Sequence, residues 1–201
     1  MSNRISISPG NVKMGAIPSV SLPPVITCAS GCTCAKKCYA AKLCRLRPNV
    51  REAYERNLDI LKEDPASYWL QVEAAAATTR YFRYHVSGDI PDADYLTKMV
   101  EVARRQSGTH FLAFTKKYSL VNNFTFDNGK QLPENLHIIF SAWPGMEMRN
   151  PFKFPVAEVI FKGQEPREEW KICGGNCAEC ACRGVGCWEL KRGETIAFYE
   201  H

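Results

Sequence analysis

The sequence predicts an α/β fold, a partial, open parallel β/α barrel of about five strands with cysteine-rich loops at both ends. Several short apolar runs are nearly continuous, as in parallel strands that are buried on both faces. Helical patterns separate these runs and are long enough to connect parallel strands. The number of strand–helix units is too small for a closed eight-stranded barrel.

The strands are predicted from runs of apolar, aromatic and β-branched residues. The first run follows an extended lead-in and closes at Pro23-Pro24, and the second is rich in aromatic residues. The last two runs are apolar almost throughout. In chain order, the predicted strands are 19–22, 81–86, 110–115, 136–141 and 156–161.

The helices are predicted from apolar residues at helical spacing. One begins at Pro48, and the next begins at Asp64-Pro65, where a capping aspartate precedes a proline at the first helical position. A third follows Pro91, and a short one passes through residues 120–121. The link 140–156 is rich in proline and glycine, so the last unit is expected to lack a helix.

A single domain of residues 1–201 is expected, with 14–165 as the partial barrel and 166–201 as a cysteine-rich, metal-binding extension. The net charge of +5 is mild and is spread along the chain, so charge alone does not support nucleic-acid binding. No stretch reaches the ~18–20 apolar residues of a membrane span, and the first residues lack the apolar run of a signal peptide. A cytoplasmic location with no membrane partner is therefore expected.

The ten cysteines fall into two groups, one from Cys28 to Cys44 and one from Cys173 to Cys187, with none between them. In a reducing compartment such grouping is typical of metal ligands rather than of disulfides. The first group begins C-x₃-C-x-C-x₃-C, and the second reads C-x₃-C-x₂-C-x-C-x₄-C. Zinc and iron–sulfur sites both use thiolates at short spacings, so the spacing leaves both open.

The predicted strands place polar residues at one edge of the sheet. The first cysteine group follows the first strand, and Ser87-Gly88-Asp89 follows the second. Lys116 follows the third strand, and Ala142-Trp143 follows the fourth. The carboxyl ends of parallel strands share one edge, where the active sites of α/β proteins form. We therefore expect these segments to lie together.

Several motifs, in order along residues 14–188, resemble the phage gene product 88 family. They are the first cysteine group with Tyr39-Ala40, the segment 47–57, the block 83–89 and the block 173–188. The resemblance implies one metal centre on three cysteines and a second on four, namely Cys28, Cys34 and Cys38, and then Cys173, Cys177, Cys180 and Cys187.

That family in turn resembles radical S-adenosylmethionine (SAM) enzymes, in which three cysteines after the first strand hold a [4Fe–4S] cluster. The fourth iron of that cluster binds the amino and carboxylate groups of SAM. The likeness implies that Ser87, Gly88 and Asp89 contact this small molecule and that an electron donor is a partner. Tyr39, beside the third cysteine, is placed to shield the cluster from water.

Two alternatives stay open. The sequence lacks the usual radical SAM spacing C-x₃-C-x₂-C, so Cys28, Cys32 and Cys38 form a second candidate ligand set. The chain also fits a non-enzymatic redox-sensing or phage accessory module, in which iron–sulfur or zinc sites hold the chain ends. Cys44 and Cys182 have no assigned ligand role and are expected to be buried thiols.

Overall fold

An eight-stranded sheet lies at the centre of the computed structural model, which describes residues 3–127, 129 and 131–200. Its strands are Ile7–Ser8 (β1), Ser19–Val20 (β2), Tyr81–Tyr84 (β3), His110–Thr115 (β4), Leu136–Ser141 (β5), Val156–Ile160 (β6), Lys171–Ile172 (β7) and Thr195–Tyr199 (β8). They are ordered β1-β2-β3-β4-β5-β6-β8-β7. Only the pairing of β1 with β2 is antiparallel among these strands, and every other neighbouring pair is parallel.

The helices lie mainly in the first two thirds of the chain. They are Tyr39–Leu46 (α1), Pro48–Glu63 (α2), Pro65–Ala76 (α3), Ala93–Arg105 (α4), Tyr118–Asp127 (α5) and Cys177–Cys182 (α6), with 3₁₀ helices at Thr33–Lys37 and Gly186–Glu189. The side chains of Asp64 and Asp92 cap α3 and α4 by accepting bonds from Ser67 N at 3.0 Å and Tyr95 N at 2.8 Å. Among the helices described here, none is long and apolar enough to cross a bilayer.

The predicted α/β class and the mostly parallel sheet are confirmed, and β4 and β5 have the predicted bounds. β3 ends at Tyr84 instead of continuing to residue 86, because His85 adopts a positive φ of 58° that a strand does not accommodate. The sheet is larger than predicted, since β1, β7 and β8 were not foreseen. β8 pairs with β6, so the segment 166–201, expected to be an extension, also contributes to the sheet.

The two faces of the sheet are covered differently. One face buries Phe82, Phe111, Ile138 and Phe140 in a core shared with α2, α3, α4 and α5. The opposite face, centred on Leu112, Ile139, Ala157 and Ile196, packs against the cysteine-rich segment that contains Ala181, Cys187 and Trp188. The longer helices α2 to α5 therefore cover one face, and the short helix α6 lies on the other with the cysteine-rich segment.

Asn57 and the start of α6 both form hydrogen bonds with the N-terminal segment. Asn57 of α2 is fully buried, and its Nδ2 donates to the carbonyls of Ser6 at 3.0 Å and Ser21 at 2.9 Å. The carbonyl of Lys13 accepts a hydrogen bond from the amide of Cys177 at 2.9 Å. This second bond satisfies an amide that the first turn of α6 leaves free, so the N-terminal segment completes α6.

Gly88 lies where the ends of β2 and β3 approach closely. Its φ is +81°, and a Cβ there would stand 2.6 Å from Thr27 Oγ1 and 2.8 Å from the Leu22 carbonyl oxygen. Gly163 has a similar φ of +86° but no neighbour within 4 Å. We expect Gly163→Ala to lower the free energy of unfolding by about 1 kcal/mol through backbone strain alone.

For Gly88→Ala we expect a loss of about 2–4 kcal/mol, because overpacking adds to the same strain. Urea denaturation of both variants measures the difference. Equal losses of unfolding free energy in the two variants would show that the close contacts at Gly88 do not add to the cost of the substitution.

Candidate metal sites at the two cysteine groups

The N-terminal cysteine loop, defined here as residues 28–38, follows β2 after the segment 21–27 and lies at the carboxyl edge of the parallel strands. Its four thiols, Cys28, Cys32, Cys34 and Cys38, are all partly buried. Two of the sulfurs accept backbone hydrogen bonds, Cys28 Sγ from Val25 N at 3.3 Å and Cys38 Sγ from Ala41 N at 3.4 Å. Cys38 thereby caps α1, so the start of that helix fixes the position of the last thiol.

The thiols of the loop are close enough to contact one another and to shift one another's pKa. Cys32 Sγ lies 2.7 Å from Cys34 Sγ and 3.6 Å from Met146 Sδ. Burial raises the pKa of Cys28, and the neighbouring charges of Asp89, Cys38 and Cys32 raise it further. Burial and the hydrogen bond with Cys32 raise the pKa of Cys34 to about 12, against the opposing charge of Lys116. Cys32 therefore borders both Cys28 and Cys34, and both three-cysteine sets remain available.

Asp89 fastens the loops at this edge of the sheet. Its carboxylate is enclosed, with Oδ1 accepting bonds from Thr115 Oγ1 at 2.6 Å and Ile90 N at 2.7 Å. Oδ2 accepts from Lys116 N at 2.8 Å, and the Asp89 amide donates to Thr27 Oγ1 at 3.2 Å. The residue therefore joins the ends of β3 and β4 to the start of the N-terminal cysteine loop.

Ser87, predicted to contact SAM, and Tyr39, predicted to shield the cluster, both lie near the loop but differ in accessibility. Ser87 is buried, and its Oγ has no hydrogen-bond partner in the described part of the chain. Tyr39 is 63% exposed, but its hydroxyl turns inward and donates to the Val86 carbonyl. Burial of that hydroxyl raises its pKa, while Arg83 lowers it.

A cavity of about 450 Å³ opens beside the N-terminal cysteine loop, a size that suits a small molecule. Three segments line it, 29–31, 116–120 and 145–147, and none of Tyr39, Ser87, Gly88 and Asp89 is among its lining residues. The sequence placed the first cysteine group and Lys116 at this edge, but it did not identify the lining segments 117–120 and 145–147, because no motif marks them.

Lys116 is held in place at the cavity wall. Its Nζ donates to Ser141 Oγ at 2.8 Å and lies 5.8 Å from the ring centre of Trp143. The segments that follow β4 and β5 are thus brought together, as the sequence predicted. The ammonium is the cation that opposes the raised pKa of Cys34.

The C-terminal cysteine quartet, defined as Cys173, Cys177, Cys180 and Cys187, converges on the face of the sheet opposite the main helices. The charge on each of these thiols affects the others: Cys173 and Cys180 raise the pKa of Cys177, Cys173 raises that of Cys180, and all three raise that of the buried Cys187. In each case burial is the larger cause.

The backbone around the quartet is shaped to its sulfurs. A Cβ on Gly186, whose φ is +71°, would stand 3.1 Å from Cys180 Sγ, and Gly175 N donates to Cys173 Sγ at 3.4 Å. Cys182 is exposed, so the prediction that it is buried was wrong; it lies on the outer side of α6, which is only six residues long. Cys44 is buried, as predicted.

Arg83 is a charged partner of the quartet that the sequence reasoning missed. Its Nη1 lies 4.0 Å from Cys177 Sγ, and its guanidinium lies 4.9 Å from the ring centre of Phe114. The positive charge lowers the pKa of both Cys177 and Cys187. The sequence did contain a signal for this role, because Arg83 is a lone charge between aromatic residues of a predicted strand. A charge directed into the protein needs a partner.

The donor chemistry of both groups fits iron–sulfur ligation. Within the described residues, no three His, Cys, Asp or Glu side chains are arranged to hold a single metal ion. Both groups offer thiols only, with backbone amides directed at sulfur, and an iron–sulfur core is larger than a single ion and is bound by thiolates. The residues present therefore suit such a core.

One family model, described as Gene product 88, matches residues 3–185 of the chain. No curated protein matches the sequence, and no solved structure matches the fold.

His85 is buried at the end of β3 with neither ring nitrogen hydrogen-bonded to a described group. Burial, with the charges of Lys117 and Arg83, lowers its pKa to about 3. An unfolded histidine titrates near 6.5, so below that pH the unfolded chain binds a proton that the folded chain does not. The free energy of unfolding therefore falls as the pH falls from neutrality.

Between about pH 7 and about pH 5.5, we expect the free energy of unfolding of the wild type to fall by about 1 kcal/mol through His85. His85→Asn, in which asparagine tolerates the positive φ, should not show this loss. Urea denaturation at the two pH values gives the comparison. Parallel losses in wild type and His85→Asn would contradict the assignment of this pH dependence to His85.

Proposed function

The chain belongs to the phage gene product 88 family, and on this premise we propose that it is an iron–sulfur protein of radical-SAM-like architecture. In this proposal the N-terminal cysteine loop holds an open [4Fe–4S] cluster that binds SAM, and the C-terminal cysteine quartet holds a second cluster. The observation that carries the proposal is the position of the loop. Its four thiols lie at the carboxyl edge of parallel strands, beside a cavity of about 450 Å³.

Each part of the loop has a task in this proposal. The amides of Val25 and Ala41 donate to Cys28 and Cys38 sulfurs, and such bonds stabilise negative charge on thiolates and tune a cluster's potential. Lys116 supplies a positive charge at the cavity wall, where it would meet a carboxylate. When bound, an open cluster supplies the electron that cleaves SAM.

The C-terminal quartet offers four ligands and so would form a closed site. Arg83 provides a nearby positive charge that favours the thiolate forms. A site with four protein ligands leaves no position for a substrate and therefore serves electron transfer or folding. Zinc is the alternative occupant of this site, but it would require the four thiols to close around one ion, an arrangement that the described residues do not show.

A non-enzymatic metal-stabilised module is the second candidate function. It is favoured by the contacts of the quartet, since Cys173 N donates to the Ala197 carbonyl at 2.9 Å and Cys177 N to that of Lys13. A metal bound there would tie both chain ends to the sheet, and its binding energy would act through folding. The burial of Asp89 also favours this candidate, because that carboxylate already accepts three hydrogen bonds from protein groups and does not line the cavity.

The decisive test is anaerobic reconstitution followed by incubation of the reduced protein with SAM. We expect about eight iron and eight sulfide per chain, a broad absorbance near ~400 nm, and 5′-deoxyadenosine or methionine as a product. Iron binding without SAM cleavage, and without a SAM-induced change in the EPR signal, would favour the module. A colourless protein that holds zinc would contradict both iron proposals.

Serine variants of the loop identify the ligands of the first site. We expect Cys28→Ser to remove about half of the iron and to abolish SAM cleavage, because three thiolates hold the open cluster. Only one of Cys32→Ser and Cys34→Ser should have the same effect. Full iron retention by Cys28→Ser would exclude both candidate ligand sets, because each of them contains Cys28.

The quartet provides its own matched control, because Cys180 and Cys182 lie on the same short helix. We expect Cys180→Ser to remove the second metal, and with it about half of the total iron, whereas Cys182→Ser should keep all of it. Iron and zinc counted per chain give the readout. Equal losses from the two variants would show that the ligand set is different from the quartet.

A further inference from the structure

The positive charge of the chain is concentrated at one end. The first 51 residues contain eight Lys and Arg and no Asp or Glu, although the net charge of the whole chain is only +5. The remainder of the chain is therefore net acidic. The sequence-based prediction that the charge is evenly spread was wrong. It rested on the lack of runs of adjacent like charges, and most of the basic residues of the first 51 positions are not adjacent.

The structure exposes much of this charge on one surface beside the N-terminal cysteine loop. Lys36, Lys42, Arg45 and Arg47 are exposed, and none forms an ion pair with a carboxylate of the described residues. Lys37 differs, because it pairs with Glu200 at 3.0 Å. Four unpaired cations on and around one short helix create a positive field that attracts acidic partners.

Apolar side chains lie among these cations. Tyr39, Leu43 and Leu46 are spaced along one stripe of α1 and are 63%, 38% and 66% exposed. Ala40 and Cys44 occupy the buried side of the same helix. Large exposed apolar side chains grouped together mark an interaction site more often than isolated ones do.

Two further apolar residues, Val25 and Ile26, are exposed just before the cysteine loop. Val25 N donates to Cys28 Sγ, and Tyr39 follows Cys38 directly. The charges on Cys28 and Cys38 both affect the Tyr39 hydroxyl, so these groups are close neighbours. We call the exposed cations Lys36, Lys42, Arg45 and Arg47 together with Val25, Ile26, Tyr39, Leu43 and Leu46 the α1 surface.

We propose that the α1 surface docks a small acidic redox protein that delivers electrons to the N-terminal cysteine loop. This inference rests on the proposed function, because it gives the cluster site its electron donor. One electron passes in the step, so the partner's centre is oxidised by one electron and the cluster is reduced by one. The basic charges match an acidic partner, and the aliphatic side chains favour a protein over a nucleic acid, whose backbone contacts are polar.

The test uses the reconstituted protein and a fluorescently labelled, acidic plant-type [2Fe–2S] ferredoxin as the probe. We expect binding that weakens as salt is added, and Lys42→Glu/Arg45→Glu should weaken it at least about tenfold. Leu43→Ser/Leu46→Ser should also weaken it about tenfold, through lost apolar contact. Lys62→Glu/Arg104→Glu changes the net charge equally at exposed positions elsewhere and should stay within about twofold of the wild type.

A second measurement separates this proposal from the proposed function. Dithionite reduces a cluster without docking, so SAM cleavage driven by dithionite should be equal in wild type and Lys42→Glu/Arg45→Glu, whereas cleavage driven by reduced ferredoxin should fall in the variant. Absence of dithionite-driven SAM cleavage in the wild type would contradict the proposed function. The ferredoxin-binding measurements would still test whether the α1 surface is a docking site.

Three results would overturn the docking proposal. The first is no binding of ferredoxin by the wild type. The second is an equal loss of binding in Lys62→Glu/Arg104→Glu, which would reduce the effect to net charge. The third is selective binding of a DNA duplex that depends on Lys42 and Arg45, which would make this a nucleic-acid surface.

Discussion

A carboxylate with only 4% of its surface exposed must be hydrogen-bonded, because an unpaired buried charge costs several kcal/mol, and Asp89 meets this requirement by joining three segments. Burial raises its pKa, and the bonds from Thr115, Lys116 and Ile90 oppose that shift. The ends of β3 and β4 are thereby held together, with Thr27 attaching the cysteine loop to them. The cavity, the loop and Lys116 all keep their positions relative to this one group.

The strand β3 connects the two candidate metal sites. Asp89 follows its carboxyl end, where the N-terminal cysteine loop lies, while Arg83 projects from the middle of the strand toward the quartet. The two sites therefore differ in kind. The loop borders a cavity, whereas the quartet packs against the sheet beside a cation. A structural or electron-transfer role suits the second environment, and exchange with a small molecule suits the first.

The parts of the fold that the sequence predicted are those with strong local patterns. Buried strands such as β4 and β5 are long enough to show a continuous apolar run, and prolines mark where α2 and α3 begin. The two-residue strands β1 and β7 have no such signal, since only tertiary pairing defines them. At the site, cysteine spacing identified which thiols are near one another. It could not reveal that Asp89 is internally bonded, because that depends on where Thr115 lies in the fold.

In the proposed function, the charged group that meets the ligand at the cavity is the Lys116 ammonium and not the Asp89 carboxylate. Asp89 is buried and does not line the cavity, whereas the Lys116 ammonium lies at the cavity wall beside Ser141 and Trp143. Under the proposed function, Lys116 is therefore the residue placed to recognise a ligand. SAM carries a positive sulfonium as well as a carboxylate. Beside a lysine its carboxylate has to face the ammonium, with the sulfonium directed away from it. The charge of Lys116 also lowers the pKa of Cys34, so Lys116 lies near the cysteine loop. A SAM carboxylate that faces Lys116 would therefore also lie near the loop, where an open iron would bind it.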